Sequence, residues 1–243
     1  MIRSMLVVTT AIIVTAFFTC AAVVINIFCP SEKMVRSIAH HWAKILLYLS
    51  QIKVEVIGKE NVSTEMPQIF MANHQGDFDI LIFLAHIPVD FLWTAKKELF
   101  RVPVFGRAMR KAGYIKIDRQ NHEKAMEGLE ETENKISKGI SIAAFPEGTR
   151  SRDGRLLPFK QGMFYLAIQT DVPIVPVTII GSNKIMPKGS LRVNQGEITM
   201  VIDKPIDTGN YTIENRNVLI SKVRDIIEAN YEKYQKDAGT GPA

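Results

Sequence analysis

The chain has 243 residues, of which 47% are hydrophobic and 23% charged, and its formal net charge is +5. The length predicts one sizeable core with an appendage. The net charge is too small for nucleic-acid binding by bulk electrostatics, but it suits a basic patch that binds anionic lipid or phosphate. The two cysteines, Cys20 and Cys29, provide neither a disulfide framework nor a metal-binding spacing, which is typical of a reducing compartment.

The first 29 residues form an apolar segment. No charged residue occurs from Met5 to Cys29, and this run exceeds the roughly 20 residues that a membrane helix needs. A cleavable signal peptide fits poorly, because its apolar part usually has about 7–15 residues. The segment therefore predicts a membrane helix, with a buried core helix as the alternative.

A second helix is predicted after the break at Pro30 and Ser31. Its apolar residues recur at the spacing of one helical face. Trp42 and Tyr48 suit a membrane interface, and Lys33, Arg36 and Lys44 are predicted on the polar face. Residues 1–50 are thus predicted to form a two-helix membrane-associated region before a domain at 51–243. The first helix either spans the membrane or pairs with the second as a hairpin in one leaflet, and the break favours the hairpin.

From residue 52 onward, strand-like and helix-like runs alternate. Predicted strands lie at 53–57, 68–72, 90–94, 114–117, 140–145, 174–180 and 197–202. Predicted helices lie at 121–137, 159–169 and 212–234, and Pro103 is placed to open another. This alternation predicts an α/β fold, with helices covering a mostly parallel sheet.

A histidine and a carboxylate occur five positions apart in the segment from Asn73 to Asp79, directly after an apolar strand. Residues at this spacing do not share a helix face, so the pair is useful only across a strand-to-helix turn, which Gly76 permits. There Asp79 could accept the Nδ1 proton of His74 and leave Nε2 to act as a base. Such a pair, without a protein nucleophile, would activate a hydroxyl of the substrate. The spacing alone is weak evidence.

Three further motifs follow in order. They are Lys-Lys-Glu-Leu-Phe from Lys96, Gly-Tyr-Ile-Lys-Ile-Asp-Arg ending at Arg119, and Phe-Pro-Glu-Gly-Thr-Arg-Ser from Phe145; a Pro-rich strand begins near Pro173. With the His-x4-Asp motif these resemble the four blocks of the glycerolipid acyltransferase family, most closely its 1-acylglycerol-3-phosphate branch. The resemblance covers about residues 68–180 and implies an αβα sandwich with its sites at strand ends.

The resemblance also implies the roles of particular residues. In that family the first block is catalytic, which falls on His74 and Asp79. The second and third blocks bind glycerol phosphate, and the corresponding positions here are Arg119, Glu147, Gly148, Thr149 and Arg150.

The chemistry of these residue types agrees with a phosphate site. The guanidinium groups of Arg119 and Arg150 offer bidentate forks, and Lys96 is the next basic candidate. The amides of Gly148 and Thr149 could face an anion. Glu147 is unusual for a phosphate site and more plausibly holds an arginine or a glycerol hydroxyl.

The resulting expectation is an enzyme that transfers a fatty acyl group from acyl-CoA or acyl carrier protein to the sn-2 hydroxyl of 1-acyl-sn-glycerol-3-phosphate, giving phosphatidic acid. No metal site, bound cofactor or nucleic-acid partner is expected. The expected location is the cytoplasmic (inner) membrane, with the catalytic domain on its cytosolic face. Alternatives are a sibling enzyme that acylates another lysophospholipid, glycerol-3-phosphate or an amino-acid lipid, and a non-catalytic lipid-binding membrane protein.

Overall fold

The computed structural model describes residues 2–118, 122–151, 154–187 and 189–237. Two N-terminal helices, α1 (Ile2–Phe28) and α2 (Glu32–Leu49), pack against each other and precede the sheet. The hydroxyl of Ser31 caps α2 by accepting from the amide of Met34. The two predicted N-terminal helices are therefore both present.

In the described part of the chain seven strands follow: β1 (Ile52–Ile57), β2 (Ile69–Ala72), β3 (Phe91–Lys96), β4 (Ile115–Ile117), β5 (Ser141–Ala144), β6 (Ile174–Ile180) and β7 (Gly196–Ile202). The helices among and after them are α3 (Asp79–His86), α4 (Phe105–Lys111), α5 (His122–Ile136), α6 (Gly162–Thr170), α7 (Ser182–Ile185) and α8 (Arg216–Asp237). Short 3-10 turns lie at Lys59–Asn61 and Lys97–Arg101. Each predicted strand overlaps an observed one.

The strands form one sheet in the order β1-β7-β6-β2-β5-β3-β4. All neighbouring pairs are parallel except β6 and β7, which are antiparallel. Strands β2 to β6 therefore point the same way, and their carboxyl ends meet at one edge of the sheet. The predicted α/β class and mostly parallel sheet are confirmed.

Helices cover both faces of the sheet. Along β2, Phe70 and Ala72 enter a core shared with α2 and α3, whereas Ile69 and Met71 enter a second core shared with α6 and α8. This alternation follows from the two-residue period of a strand, which sends successive side chains to opposite faces. The arrangement is the expected αβα sandwich.

Two helices begin later than predicted. The amide of Lys160 donates to the carbonyl of Pro146, so the chain before Gly162 is tied to the turn after β5 and is not helical. At α8, the side chains of Thr212 and Asn215 bond each other's backbone amides, and this local turn displaces the helix start to Arg216.

The prediction that Arg36 lies on the polar face of α2 is wrong. This guanidinium is only 8% exposed and contacts both carboxylate oxygens of Asp90 at 2.6 Å, as well as the carbonyl of Ala112 at 2.7 Å. Burial opposes its charge, but the adjacent carboxylates of Asp90 and Glu32 more than offset this and raise the pKa of Arg36. An ionic contact thus fixes α2 to the sheet domain, and helical periodicity alone could not reveal it.

Candidate active site

The segment after β2 is held in place by Asn73. Its buried side chain donates to the carbonyl of Ile179 at 2.8 Å and accepts from the amide of Ile179 at 2.7 Å. The side-chain amide therefore continues the pairing of β2 with β6 beyond the end of the strand. This fixes the direction in which the chain enters His74.

His74 and Asp79 lie together across the turn between β2 and α3. Nδ1 of His74 is 2.8 Å from Oδ2 of Asp79. The same oxygen accepts from the amides of Gln75 at 2.7 Å and Gly76 at 2.9 Å. Asp79 is fully buried at the first residue of α3, where the helix dipole favours a negative charge. The carboxylate thus orients the imidazole through Nδ1, and Nε2 is the ring nitrogen outside this contact.

An aromatic stack holds the ring plane of His74. The imidazole lies parallel to the ring of Phe145, with centroids 3.9 Å apart, and Phe145 stacks in turn on Trp93 at 4.8 Å. Phe145 follows β5 and Trp93 belongs to β3. Aromatic residues from the adjacent strands β5 and β3 therefore hold the ring plane, while Asp79 holds the ring through its hydrogen bond.

The backbone of His74 is bonded to the Phe-Pro-Glu-Gly-Thr-Arg-Ser motif on both sides. Its amide donates to Glu147 at 2.7 Å, and its carbonyl accepts from the amide of Ser151 at 2.9 Å. The other carboxylate oxygen of Glu147 accepts from the amide of Leu157 at 2.9 Å. Burial raises the pKa of Glu147 to about 7. Glu147 therefore lies behind the loop that carries His74, and each of its carboxylate oxygens accepts from a main-chain amide.

The turn after Glu147 brings an arginine to the site. Gly148 has a φ of +70°, a conformation that glycine adopts at little cost, and its amide donates to the carbonyl of Phe145 at 3.0 Å. Arg150 forms an ion pair with Asp77, which lies between His74 and Asp79 in the chain.

A cavity of about 740 Å³ opens beside this group of residues. His74, Lys96, Gly148, Thr149 and Arg150 all contribute to its wall. The remainder of the wall is mostly apolar and comes from α1, α2, α3, α4 and β3. The cavity therefore joins a polar end, which carries the histidine and the arginine, to an interior lined mostly by apolar side chains.

The family model described as Acyltransferase matches residues 53–180, which is more than half of the chain. The chain belongs to the acyltransferase family.

Individual relatives agree with this assignment. The 1-acyl-sn-glycerol-3-phosphate acyltransferase of Limnanthes alba is 34% identical over 197 residues, which cover 81% of this chain and 69% of that protein. A chloroplastic relative from Brassica napus, with the same activity in its name, is 39% identical over 171 residues. The aligned part covers 70% of this chain and 49% of the relative. The crystal structure of the 1-acyl-sn-glycerophosphate (LPA) acyltransferase from Thermotoga maritima superposes with a TM-score of 0.82 and 25% identity, covering 96% of this chain and 97% of that one.

In this acyltransferase the predicted site residues separate into three groups. His74, Lys96, Gly148, Thr149 and Arg150 line the cavity, whereas Asp79 and Glu147 lie behind it and support His74. Arg119 lies outside the described residues. Lys96 is 54% exposed at the cavity wall and lies 3.7 Å from Glu98.

Three contributors to the site were missed by sequence reasoning. These are Asn73, which anchors the loop, Phe145, which stacks on the imidazole, and Asp77, which pairs with Arg150. All three belong to motifs recognised in the sequence, but their roles depend on contacts between segments about 70 to 106 residues apart. Only their position inside the motifs could have indicated them.

Proposed function

We propose that the chain transfers a fatty acyl group from acyl-CoA or acyl carrier protein to the sn-2 hydroxyl of 1-acyl-sn-glycerol-3-phosphate, producing phosphatidic acid. The observation that carries this proposal is the His74–Asp79 pair at the polar end of an apolar cavity that also contains Arg150. The names of the relatives support the acceptor, and the proposal requires no bound metal or cofactor.

In the proposed reaction, Nε2 of His74 takes the proton from the sn-2 hydroxyl while Asp79 stabilises the imidazolium that forms. The hydroxyl oxygen attacks the thioester carbonyl and gives a tetrahedral intermediate. As this collapses, the C–S bond breaks and the imidazolium returns the proton to the departing thiolate. The products are the new ester and a free thiol, and no acyl-enzyme intermediate forms.

The acceptor's phosphate is proposed to bind Arg150, with Lys96 and Arg119 contributing charge. Arg150 already lies at the cavity wall, held there by Asp77. A guanidinium has five N–H donors, so one edge can keep Asp77 while another binds a phosphate oxygen. Asp77 would then set the orientation of the fork.

Replacement of Arg150 by Lys is expected to raise the apparent KM for the phosphate-bearing acceptor strongly and to leave that for the donor nearly unchanged. Lysine keeps the charge but cannot form a bidentate contact. Steady-state kinetics with each substrate varied in turn would measure this. Arg107→Lys, at an exposed position on α4, is the matched control. Unchanged acceptor KM in folded Arg150→Lys would remove Arg150 from the phosphate site.

The acceptor and donor are tested by a panel with the purified protein. Transfer is expected to 1-acyl-sn-glycerol-3-phosphate in preference to glycerol-3-phosphate or lysophospholipids with larger head groups. Each acceptor is paired with acyl-CoA and with acyl carrier protein to identify the donor. Efficient acylation of glycerol-3-phosphate alone would assign the chain to a sibling activity.

We also propose that α1 attaches the enzyme to one leaflet of the cytoplasmic membrane, with the catalytic domain in the cytosol. Within the described residues, α1 is the one helix long and apolar enough to cross a membrane. Its N-terminal end contacts the domain through Arg3, which donates to the carbonyls of Val193 and Ser50. Near its C-terminal end, Ala22 packs against Val35 and Ala112. Because both ends contact the same domain, the geometry favours a helix that lies on the membrane over one that crosses it.

A cysteine introduced at position 2 is therefore expected to resist an impermeant thiol reagent in intact cells. The background carries replacements of Cys20 and Cys29, which are both exposed. Labelling after permeabilisation provides the positive control. Ready labelling in intact cells would establish a spanning helix and place the N-terminus outside the cytosol.

A further inference from the structure

A second apolar cavity lies between α1 and the sheet domain. Its volume is about 520 Å³, which is within the range of ligand pockets. Val8 and Ala11 of α1, Leu81 of α3, and the more distant Met186 and Val193 form part of its wall. The two cavities share wall residues, among them Leu46, Asp77 and Leu81. The two apolar cavities therefore meet beside Asp77, the residue that pairs with Arg150.

We infer that this second cavity binds the acyl chain that the acceptor already carries at its sn-1 position. The inference rests on the proposed function. The reaction brings two hydrocarbon chains together, one on the thioester and one on the glycerol carbon next to the attacking hydroxyl. His74 and Trp93 lie on the wall of the first cavity, whereas the second reaches the site at Asp77. The donor chain is thus assigned to the first cavity and the acceptor chain to the second.

The lining of the second cavity suits hydrocarbon. Asp77 is the one charged side chain on its described wall, at the end shared with the first cavity. The hydroxyl of Thr15 accepts from Nε1 of Trp42 at 3.0 Å, and the carbonyls of Ser50 and Val193 accept from Arg3. These three polar groups are therefore already bonded within the protein, and a methylene chain would leave the bonds intact.

The exposed rim of the cavity wall, to which Ile12 and Val104 belong, is apolar as well. Ile12 of α1 is 64% exposed, and Val104, in the loop before α4, is 41% exposed. Val104 has a φ of +61°, a strained conformation for a β-branched residue, and such strain is concentrated at ligand clamps and active sites. This rim continues the exposed apolar face of α1, so a lipid chain could enter from the bilayer without crossing water.

Ala11→Phe tests the assignment because the new ring would fill the cavity. The assay uses detergent micelles and two acceptors, octadecanoyl and hexanoyl glycerol-3-phosphate, with donors of several chain lengths. We expect the apparent KM for the octadecanoyl acceptor to rise roughly tenfold or more, since burial of several methylenes is lost, while the value for the hexanoyl acceptor and the donor preference stay unchanged. Thr9→Phe, an exposed position on the same helix that lines neither cavity, is the matched control.

Val8→Ala provides an independent variant that enlarges the same cavity, and it is expected to move acceptor preference toward longer chains. If these variants change the preference for donor chain length and leave the dependence on acceptor chain length unchanged, the inference is overturned and the donor chain is placed under α1. Equal behaviour of Ala11→Phe and Thr9→Phe would overturn it too. In both cases the wild-type protein still acylates the octadecanoyl acceptor. If the wild-type protein acylates neither the octadecanoyl nor the hexanoyl acceptor, the proposed function fails and the assignment of the second cavity fails with it.

Discussion

Replacement of His74 by Ala is expected to reduce kcat by about 10²–10⁴-fold, the usual contribution of a positioned general base. The imidazole is partly exposed at the cavity wall but stacks on Phe145, so its removal should lower the thermal stability only modestly and leave the protein folded. Turnover at saturating substrate and circular dichroism would measure the two effects. His41→Ala, on the exposed face of α2, is the control. Near-wild-type turnover in folded His74→Ala would exclude the proposed mechanism.

Asp79→Asn gives a sharper form of this experiment. One carboxylate oxygen, Oδ2, accepts all three bonds from His74, Gln75 and Gly76, while Oδ1 has no hydrogen-bond partner in the described structure. The carbonyl oxygen of asparagine could take the place of Oδ2 and keep the loop intact. The loss would then be mainly the negative charge that stabilises the imidazolium. We expect a large fall in kcat with little change in thermal stability. A strongly destabilised protein would instead show that Asp79 acts through loop structure.

Removal of residues 1–50 is expected to unfold the domain and not merely to release it from the membrane. Ala43, Leu46 and Leu47 of α2 are buried in the core that α2 shares with α3 and the sheet, and Arg36 is paired with Asp90. Truncation of one such leucine to Ala costs about 2–5 kcal/mol, against a total stability of about 5–15 kcal/mol for a typical domain. Aggregation or loss of a cooperative transition in the 51–243 fragment would be observed by light scattering and thermal unfolding.

Point variants separate this effect from membrane binding. Leu47→Ala, which lines neither cavity, should lower the free energy of unfolding by about 2–5 kcal/mol. Leu49→Ala, on the same helix but 42% exposed, should change it much less. A monomeric 51–243 fragment that unfolds cooperatively would show instead that α2 is dispensable, and would support a division of the chain at residue 50.

The sequence predicted the fold better than the interior of the site. Strand and helix periodicity follow from local backbone geometry, so all seven strands could be located. The predicted starts of α6 and α8 lie before the observed ones. The bond from Lys160 to Pro146 delays α6, and the side-chain turn of Thr212 and Asn215 delays α8. The pairing of His74 with Asp79 was predictable because both lie within one short turn. The position of Glu147 behind His74 was not, since its partners come from a different strand end.

The sequence by itself determined the acyltransferase family, the α/β class, the apolar first helix and the identity of the histidine and carboxylate, because each depends on residue type and short-range order. The tertiary structure alone decided that Arg36 is buried, that Asp77 holds Arg150 and that α1 covers a second cavity. The physical reason is the same in each case. These contacts join segments far apart in the chain, and their energies depend on burial and on partners that no local pattern of residues records.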